Sequence, residues 1–167
     1  MRPFVTIVIP TRNEEAFIGR CLQSIIEGEY PTKSMEVFVV DGVSEDRTAD
    51  LVRKYQEQHD FINLLFNAHQ TTPYALNIGV KRARGDLIII MGAHAEYPPD
   101  YITLCVEHSL RSGAENVGGT IDFRPRRTGL KALALTILKS DKFGVGKSEF
   151  RTGVDELQYV DTVFGGC

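Results

Sequence analysis

Four short polar runs stand out because each follows an apolar, β-branched stretch. They are Pro10-Thr11-Arg12-Asn13-Glu14, Asp41-Gly42-Val43-Ser44-Glu45-Asp46, the single Asn67, and Gly92-Ala93-His94-Ala95-Glu96. Carboxylates and amides accept hydrogen bonds from the N–H and hydroxyl groups of a ligand, and carboxylate with imidazole ligates divalent cations. Asp41 and Glu14 are candidates for the first task. A structural role is open for each, since Asp41 closes a strand pattern and Glu14 suits the positive end of a helix dipole. His94 and Glu96 are candidates for the second task. Spaced i and i+2, they share one side of an extended segment, and the pair suits manganese or another transition ion better than magnesium. The alternative for these two is a solvated loop without metal.

The elements that must position these groups are readable from periodicity. Phe4 to Ile9, Met35 to Val40, Phe61 to Phe66, Leu87 to Met91 and Asn116 to Ile121 read as strands, the first without clear alternation, as in a parallel sheet buried on both faces. Between them lie helical patterns. The first is opened by Asn13 as N-cap and carries Ile18, Cys21, Leu22, Ile25 and Ile26. The others run from Asp46 to Gln58, Thr71 to Arg84 and Pro98 to Ser112. Alternating strands and helices predict an α/β fold, a mainly parallel, Rossmann-like sheet with helices on both faces. In such sheets ligands bind beyond the carboxyl ends of the strands, where the four polar runs fall. After Phe123 the pattern weakens: 129–140 reads as one more helix and 143–155 as a glycine-rich loop.

Composition narrows the classes. The chain has 167 residues, 43% hydrophobic and 25% charged, which is ordinary for one globular domain. A net charge of -3 gives no global attraction to nucleic acid, and none is expected as a partner. Cys21, Cys105 and Cys167 are far apart and odd in number, so neither a zinc site nor a disulfide framework is indicated. A reducing, cytoplasmic location is expected. No apolar run reaches the ~20 residues that cross a bilayer. The first strand is followed by Pro-Thr-Arg-Asn. That is neither the G-x-G-x-x-G of a dehydrogenase nor the glycine-rich loop of a sugar-phosphate nucleotidyltransferase.

The blocks "VTIVIPTRNEE", "EVFVVDGVSEDRTADLV" and "NAHQTTPYALNIGVKRARGDLIIIMGAHAEYPPDYI" together resemble the family-2 glycosyltransferases, which have a GT-A fold. The later "VGGT", "FGVGKSEFR" and "VDTVFGG" are similar to the bacterial exopolysaccharide, succinoglycan-biosynthesis branch. The resemblance implies a nucleotide-sugar donor, UDP-linked, with Pro10, Thr11, Glu14 and Asp41 around its base and ribose. It also places Asn77, Arg84 and Ala93 in matching donor-site blocks. Asn77 serves a neighbouring loop as readily as a ligand, and Arg84 either approaches a phosphate or caps its helix.

The family holds a divalent cation, Mn or Mg, on an aspartate-x-aspartate motif after the fourth strand. Here Gly92-Ala93-His94 stands in that place, so any metal is expected on His94 and Glu96. The resemblance further implies inverting transfer to a saccharide or lipid-linked acceptor, with a general base beyond Cys167. Residues 1–123 are then the nucleotide-sugar-binding part and 124–167 the incomplete start of an acceptor-side region. The end at Asp161-Thr162-Val163-Phe164-Gly165-Gly166-Cys167 reads as a strand entering a glycine turn, and a longer parent protein is expected. Membrane association through regions outside this chain and pairing with a second copy are further expectations. The alternative is a non-catalytic nucleotide-sugar-binding module, which Gly92 and the early end both favour.

Overall fold

The computed structural model describes residues 2–122 and, beyond them, residues 129–130, 134, 137–138 and 158–160. Of the expected helix at 129–140, residues 130, 134, 137 and 138 are described and are helical, and the expected loop at 143–155 lies outside the described residues. The chain divides into two compact units, Met1–Glu115 and Asn116–Gly166. The first holds, in order, β1 (Val5–Thr11), α1 (Ile18–Ile26), β2 (Met35–Asp41), α2 (Thr48–Gln58), β3 (Ile62–Phe66), α3 (Thr72–Arg82), β4 (Leu87–Ile90) and α4 (Tyr101–Ser112).

The sheet is parallel throughout, in the order β3-β2-β1-β4. Both faces are apolar, which is why no alternation shows in the sequence. Val5, Ile7, Ile9, Val37, Val39, Ile62 and Ile89 form one face, clustered with Ile18, Leu22 and Ile25 of α1, Val52 of α2 and Ile102, Cys105 and Val106 of α4. Val8, Phe38 and Val40 form the other, against Ala75 of α3. Gly79 lets α3 come this close, since a Cβ there would lie 2.4 Å from Val8 Cγ1.

Pro10 lies inside β1 without breaking the ladder. Val8 faces β4, whose pairing with β1 ends at Val8↔Ile90, and Thr11 faces β2. Pro10 therefore turns its missing N–H to the side where no strand continues.

Three expectations are corrected. Asn13 does not cap α1: that helix starts at Ile18, after a turn in which Phe17 and Ile18 donate to the Glu14 carbonyl. Asn13 is instead left-handed, with φ 55°, and its side chain bonds the next loop. The helix expected from Asp46 starts at Thr48, and Asp46 Oδ1 accepts the Thr48 N–H from just outside it. Asn116 to Ile121 is not a strand. Two adjacent glycines, Gly118 and Gly119, weaken any strand there, and a strand needs a ladder partner.

Candidate functional site

The loops after the four strands gather at the carboxyl edge in the order of the strands; the β3, β2 and β1 loops are hydrogen-bonded each to the next, and the β1 and β4 loops face each other. The β2 and β3 loops meet where Asn67, buried, donates its N–H to the Asp41 carbonyl at 2.8 Å. A Cβ on Gly42 would sit 3.4 Å from Gln70 Cα and 3.5 Å from the Arg12 side chain. The β1 and β2 loops are laced more densely. Asn13 N–H donates to Ser44 Oγ at 2.9 Å, Glu45 N–H to Asn13 Oδ1 at 2.8 Å, Glu14 N–H to Thr48 Oγ1 at 2.8 Å and Glu15 N–H to Asp46 Oδ2 at 3.1 Å. Burial acts to raise the Asp46 pKa, but hydrogen bonds from Thr48 and the Glu15 backbone outweigh it and hold the carboxyl below its ordinary value.

Asp41 ends β2 and is 1% exposed. Its Oδ2 accepts the Ser44 N–H at 2.9 Å and its Oδ1 accepts the Ser44 hydroxyl at 2.5 Å, so both oxygens are oriented by one residue. Thr11 pairs with Asp41 across the ladder, and its hydroxyl is buried without a hydrogen-bond partner among the described residues, an uncommon condition for a buried polar atom.

The strand order reverses between β1 and β4, the two strands that flank the switch point of the sheet. Ligand crevices of open α/β sheets form at such points. Here Glu14 of the β1 loop and His94 of the β4 loop face each other, Oε1 to Nδ1 at 3.7 Å. Ala93 beside them is buried. The β4 loop is pinned from below: Tyr97 Oη accepts the Gly92 N–H at 2.6 Å, Tyr97 N–H donates to Ser24 Oγ, and the Cys21 thiol donates to the Gly92 carbonyl. Burial, with Glu14 and Glu96 adding to it, pushes the Cys21 thiol up to about 12. It therefore stays protonated at neutral pH and is no nucleophile.

The geometry does not bring together every residue singled out from the sequence. Contrary to the sequence reading, the segment that carries His94 and Glu96 is not extended at His94. Ala95 N–H donates to the Gly92 carbonyl in a turn, and Glu96 bonds Arg20 of α1 at 3.1 Å. Among the described residues no three His, Cys, Asp or Glu side chains group as a metal cage. Asn77 is exposed on α3. Arg84 lies at the opposite edge, before β4. There its N–H and Nε donate to Glu36 and its Nη2 pairs with Glu36 Oε2 at 2.7 Å.

Sequence reasoning put Arg12, Asn13, Ser44 and Asn67 in the polar runs at this edge without assigning them to the site, and it passed over Gln70. A signal for them was present, since all lie just after a strand of a parallel sheet, but which loops bond to one another is not written in local pattern.

The model of glycosyl transferase family 2 matches residues 6–164, nearly the whole chain. The chain belongs to glycosyl transferase family 2. Its relatives in that enzyme family include the dolichyl N-acetyl-alpha-D-glucosaminyl phosphate 3-beta-D-2,3-diacetamido-2,3-dideoxy-beta-D-glucuronosyltransferase of Methanococcus voltae, 37% identical over 126 residues. That match covers 71% of this chain and 39% of the relative. The succinoglycan biosynthesis protein ExoA of Rhizobium meliloti is 31% identical over 149 residues, 88% of this chain and 44% of the relative. Among solved structures, the mannosyltransferase PcManGT of Pyrobaculum calidifontis, in complex with GDP-Man and Mn2+, superposes with a TM-score of 0.64 at 30% identity. It is matched over 83% of this chain and 39% of its own. The fold is that of the GT-A glycosyltransferases, and the chain spans less than half the length of each of these three relatives.

Proposed function

We propose that this chain binds the donor for an inverting glycosyltransferase. The donor is a nucleoside-diphosphate sugar, UDP-linked by the sequence reading. The acceptor is a saccharide or lipid-linked hydroxyl in exopolysaccharide or cell-envelope glycan synthesis at the cytoplasmic face. The observation that carries this reading is Asp41. It is a carboxylate at the end of a central strand, oriented through both oxygens by Ser44, beside the buried hydroxyl of Thr11. A preset carboxylate at a strand end recognises a base N–H or a ribose hydroxyl without having to order itself first. Glu14 would serve the base and ribose with Thr11 and Asp41, and His94, which faces it across the switch point, the diphosphate side of the donor.

In the reaction an acceptor oxygen attacks the anomeric carbon while a base takes its proton, and the bond to the nucleoside diphosphate breaks. No described residue is assigned as that base. A divalent cation held by His94, with Glu96 after it leaves Arg20, would neutralise charge on the leaving diphosphate when bound. PcManGT, solved with Mn2+, supports a cation at this site, and ExoA supports the exopolysaccharide branch. The Methanococcus relative supports a lipid-linked acceptor instead.

The test is calorimetry and thermal shift with UDP, GDP and their sugars, with and without manganese. A nucleoside diphosphate should raise Tm, and His94→Ala should reduce the manganese-dependent part. A chain whose Tm no nucleoside diphosphate changes does not bind a donor. Gly92, where the resemblance expects a carboxylate, supports a second reading, a non-catalytic donor-binding module. Acceptor-dependent release of the nucleoside diphosphate by the full-length protein would exclude it.

A further inference from the structure

Three non-glycine residues among those described have positive φ: Asn13 at 55°, Val43 at 57° and Gln70 at 59°. They fall in the loops after β1, β2 and β3, at the carboxyl edge. Asn tolerates this region, and the Asn13 side chain is anchored there by the Glu45 N–H. The Gln70 backbone is tied by its N–H to the Asn67 carbonyl. Val43 is the anomaly. A β-branched side chain is among the worst suited to left-handed backbone. The conformation is imposed by its neighbours, since Ser44 reaches back across it to both oxygens of Asp41. Glycine or asparagine would meet the same demand at lower cost.

The strained residue is also the one the loop displays. Asp41 and Gly42 are buried, while Val43 is 45% exposed. Val43 thus exposes its isopropyl group at the strand end where the Asp41 carboxylate is covered. A nucleobase has a polar edge and an apolar face, and a site that binds it needs partners for both. Asp41 and the amides of the adjoining loops serve an edge and leave the face unserved.

We propose that Val43 is the apolar platform for the face of the donor's base, held in a strained backbone so that it projects beside Asp41. This rests on the donor-binding reading above. The reading assigns an edge contact, and the inference adds a residue for the face.

The experiment is calorimetry on wild type, Val43→Gly, Val43→Asn and Val43→Leu with UDP, GDP, uridine, guanosine and inorganic pyrophosphate, alongside thermal unfolding. Removing the side chain or making it polar should weaken the preferred nucleoside diphosphate by about 3–10-fold, as for losing part of a buried valine contact. The matching nucleoside should weaken by the same factor and pyrophosphate should not change. Val43→Leu keeps an apolar surface and should bind within about twofold of wild type. The Gly and Asn variants should at the same time unfold a few degrees higher, because the strain is relieved. Weaker binding by a more stable protein is not a folding defect. Wild-type affinity in Val43→Gly would overturn the proposal, as would an equal loss for pyrophosphate. A wild-type chain that binds no nucleoside diphosphate would remove the donor-binding reading itself.

Discussion

At the scale of single residues, the site is a set of groups already committed to one another. Asp41→Asn replaces one of the two oxygens that accept from Ser44 with an N–H2 group. It should weaken nucleoside-diphosphate binding by roughly 1.5–3 kcal/mol, the range for a lost charge-assisted hydrogen bond. An unchanged Kd by calorimetry would rule out Asp41 as a recognition residue. Gly92 offers the opposite experiment. A Cβ there would have 3.9 Å to Tyr97 Oη and 4.0 Å to His94 Cε1, so a side chain enters without a clash. Gly92→Asp would put a carboxylate beside His94 and Glu14. It should weaken metal-free UDP binding through like-charge repulsion and strengthen binding in manganese. If titration with and without manganese gives the same Kd for this variant, no cation is held from the β4 loop.

At the scale of elements, two contacts set how α3 and the strands lie together. Gly79→Ala would drive a methyl to 2.4 Å from Val8 Cγ1, inside contact distance. It should cost about 1–3 kcal/mol by overpacking, measured by urea unfolding. Adding Val8→Ala should recover part of that loss. The second contact is at the amino edge, where Glu36, 2% exposed, accepts from Thr6 Oγ1, the Arg84 backbone and the Arg84 side chain. Burial acts to raise the Glu36 pKa, but the bonds from Arg84 and Thr6 prevail and lower it. A lowered folded pKa means that its stabilisation is fully present above the ordinary Glu value near 4.3. It is lost as pH falls through the lower folded value. Arg84→Ala removes the cation and its side-chain bond and leaves only the backbone and Thr6 bonds against burial, so the Glu36 pKa should rise and the acid-unfolding midpoint, followed by circular dichroism, should move to higher pH.

At the scale of the whole sheet, the two ends of β2 have different work. Glu36 and Asp41 are both on β2, five residues apart, which at strand rise is roughly 16 Å. The amino edge holds the strands in register and the carboxyl edge carries the ligand groups. Glu36→Gln should therefore lower Tm and leave nucleotide Kd unchanged, while Asp41→Asn should change Kd. The double variant should be additive within about 0.5 kcal/mol. Coupling larger than that, measured by a double-mutant cycle, would show that the two edges communicate through β2.

Four strands, their parallel arrangement and the edge that carries the ligand groups were legible in the sequence, whereas the fifth expected strand, Asn116 to Ile121, is not one. Each rests on short-range information: apolar runs of strand length, helical spacing between them, and polar residues just after each strand. Asp41 and Glu14 were placed at that edge by order alone. The same order would have warned that Arg84, which precedes a strand, belongs to the other end, where the structure ties it to Glu36. What the sequence could not decide is how each loop is held. Asn13 reads locally as a helix cap. In the fold its oxygen is taken by the N–H of Glu45, 32 residues on, and its own N–H by Ser44, 31 residues on. His94 and Glu96 read as a pair on one extended segment, yet His94 sits in a turn facing Glu14 and Glu96 is paired with the guanidinium of Arg20. Local preferences are worth about a kilocalorie per mole. A loop between packed strands instead satisfies its buried donors and acceptors with whatever the neighbouring loop offers, and only the tertiary structure determines which loop that is.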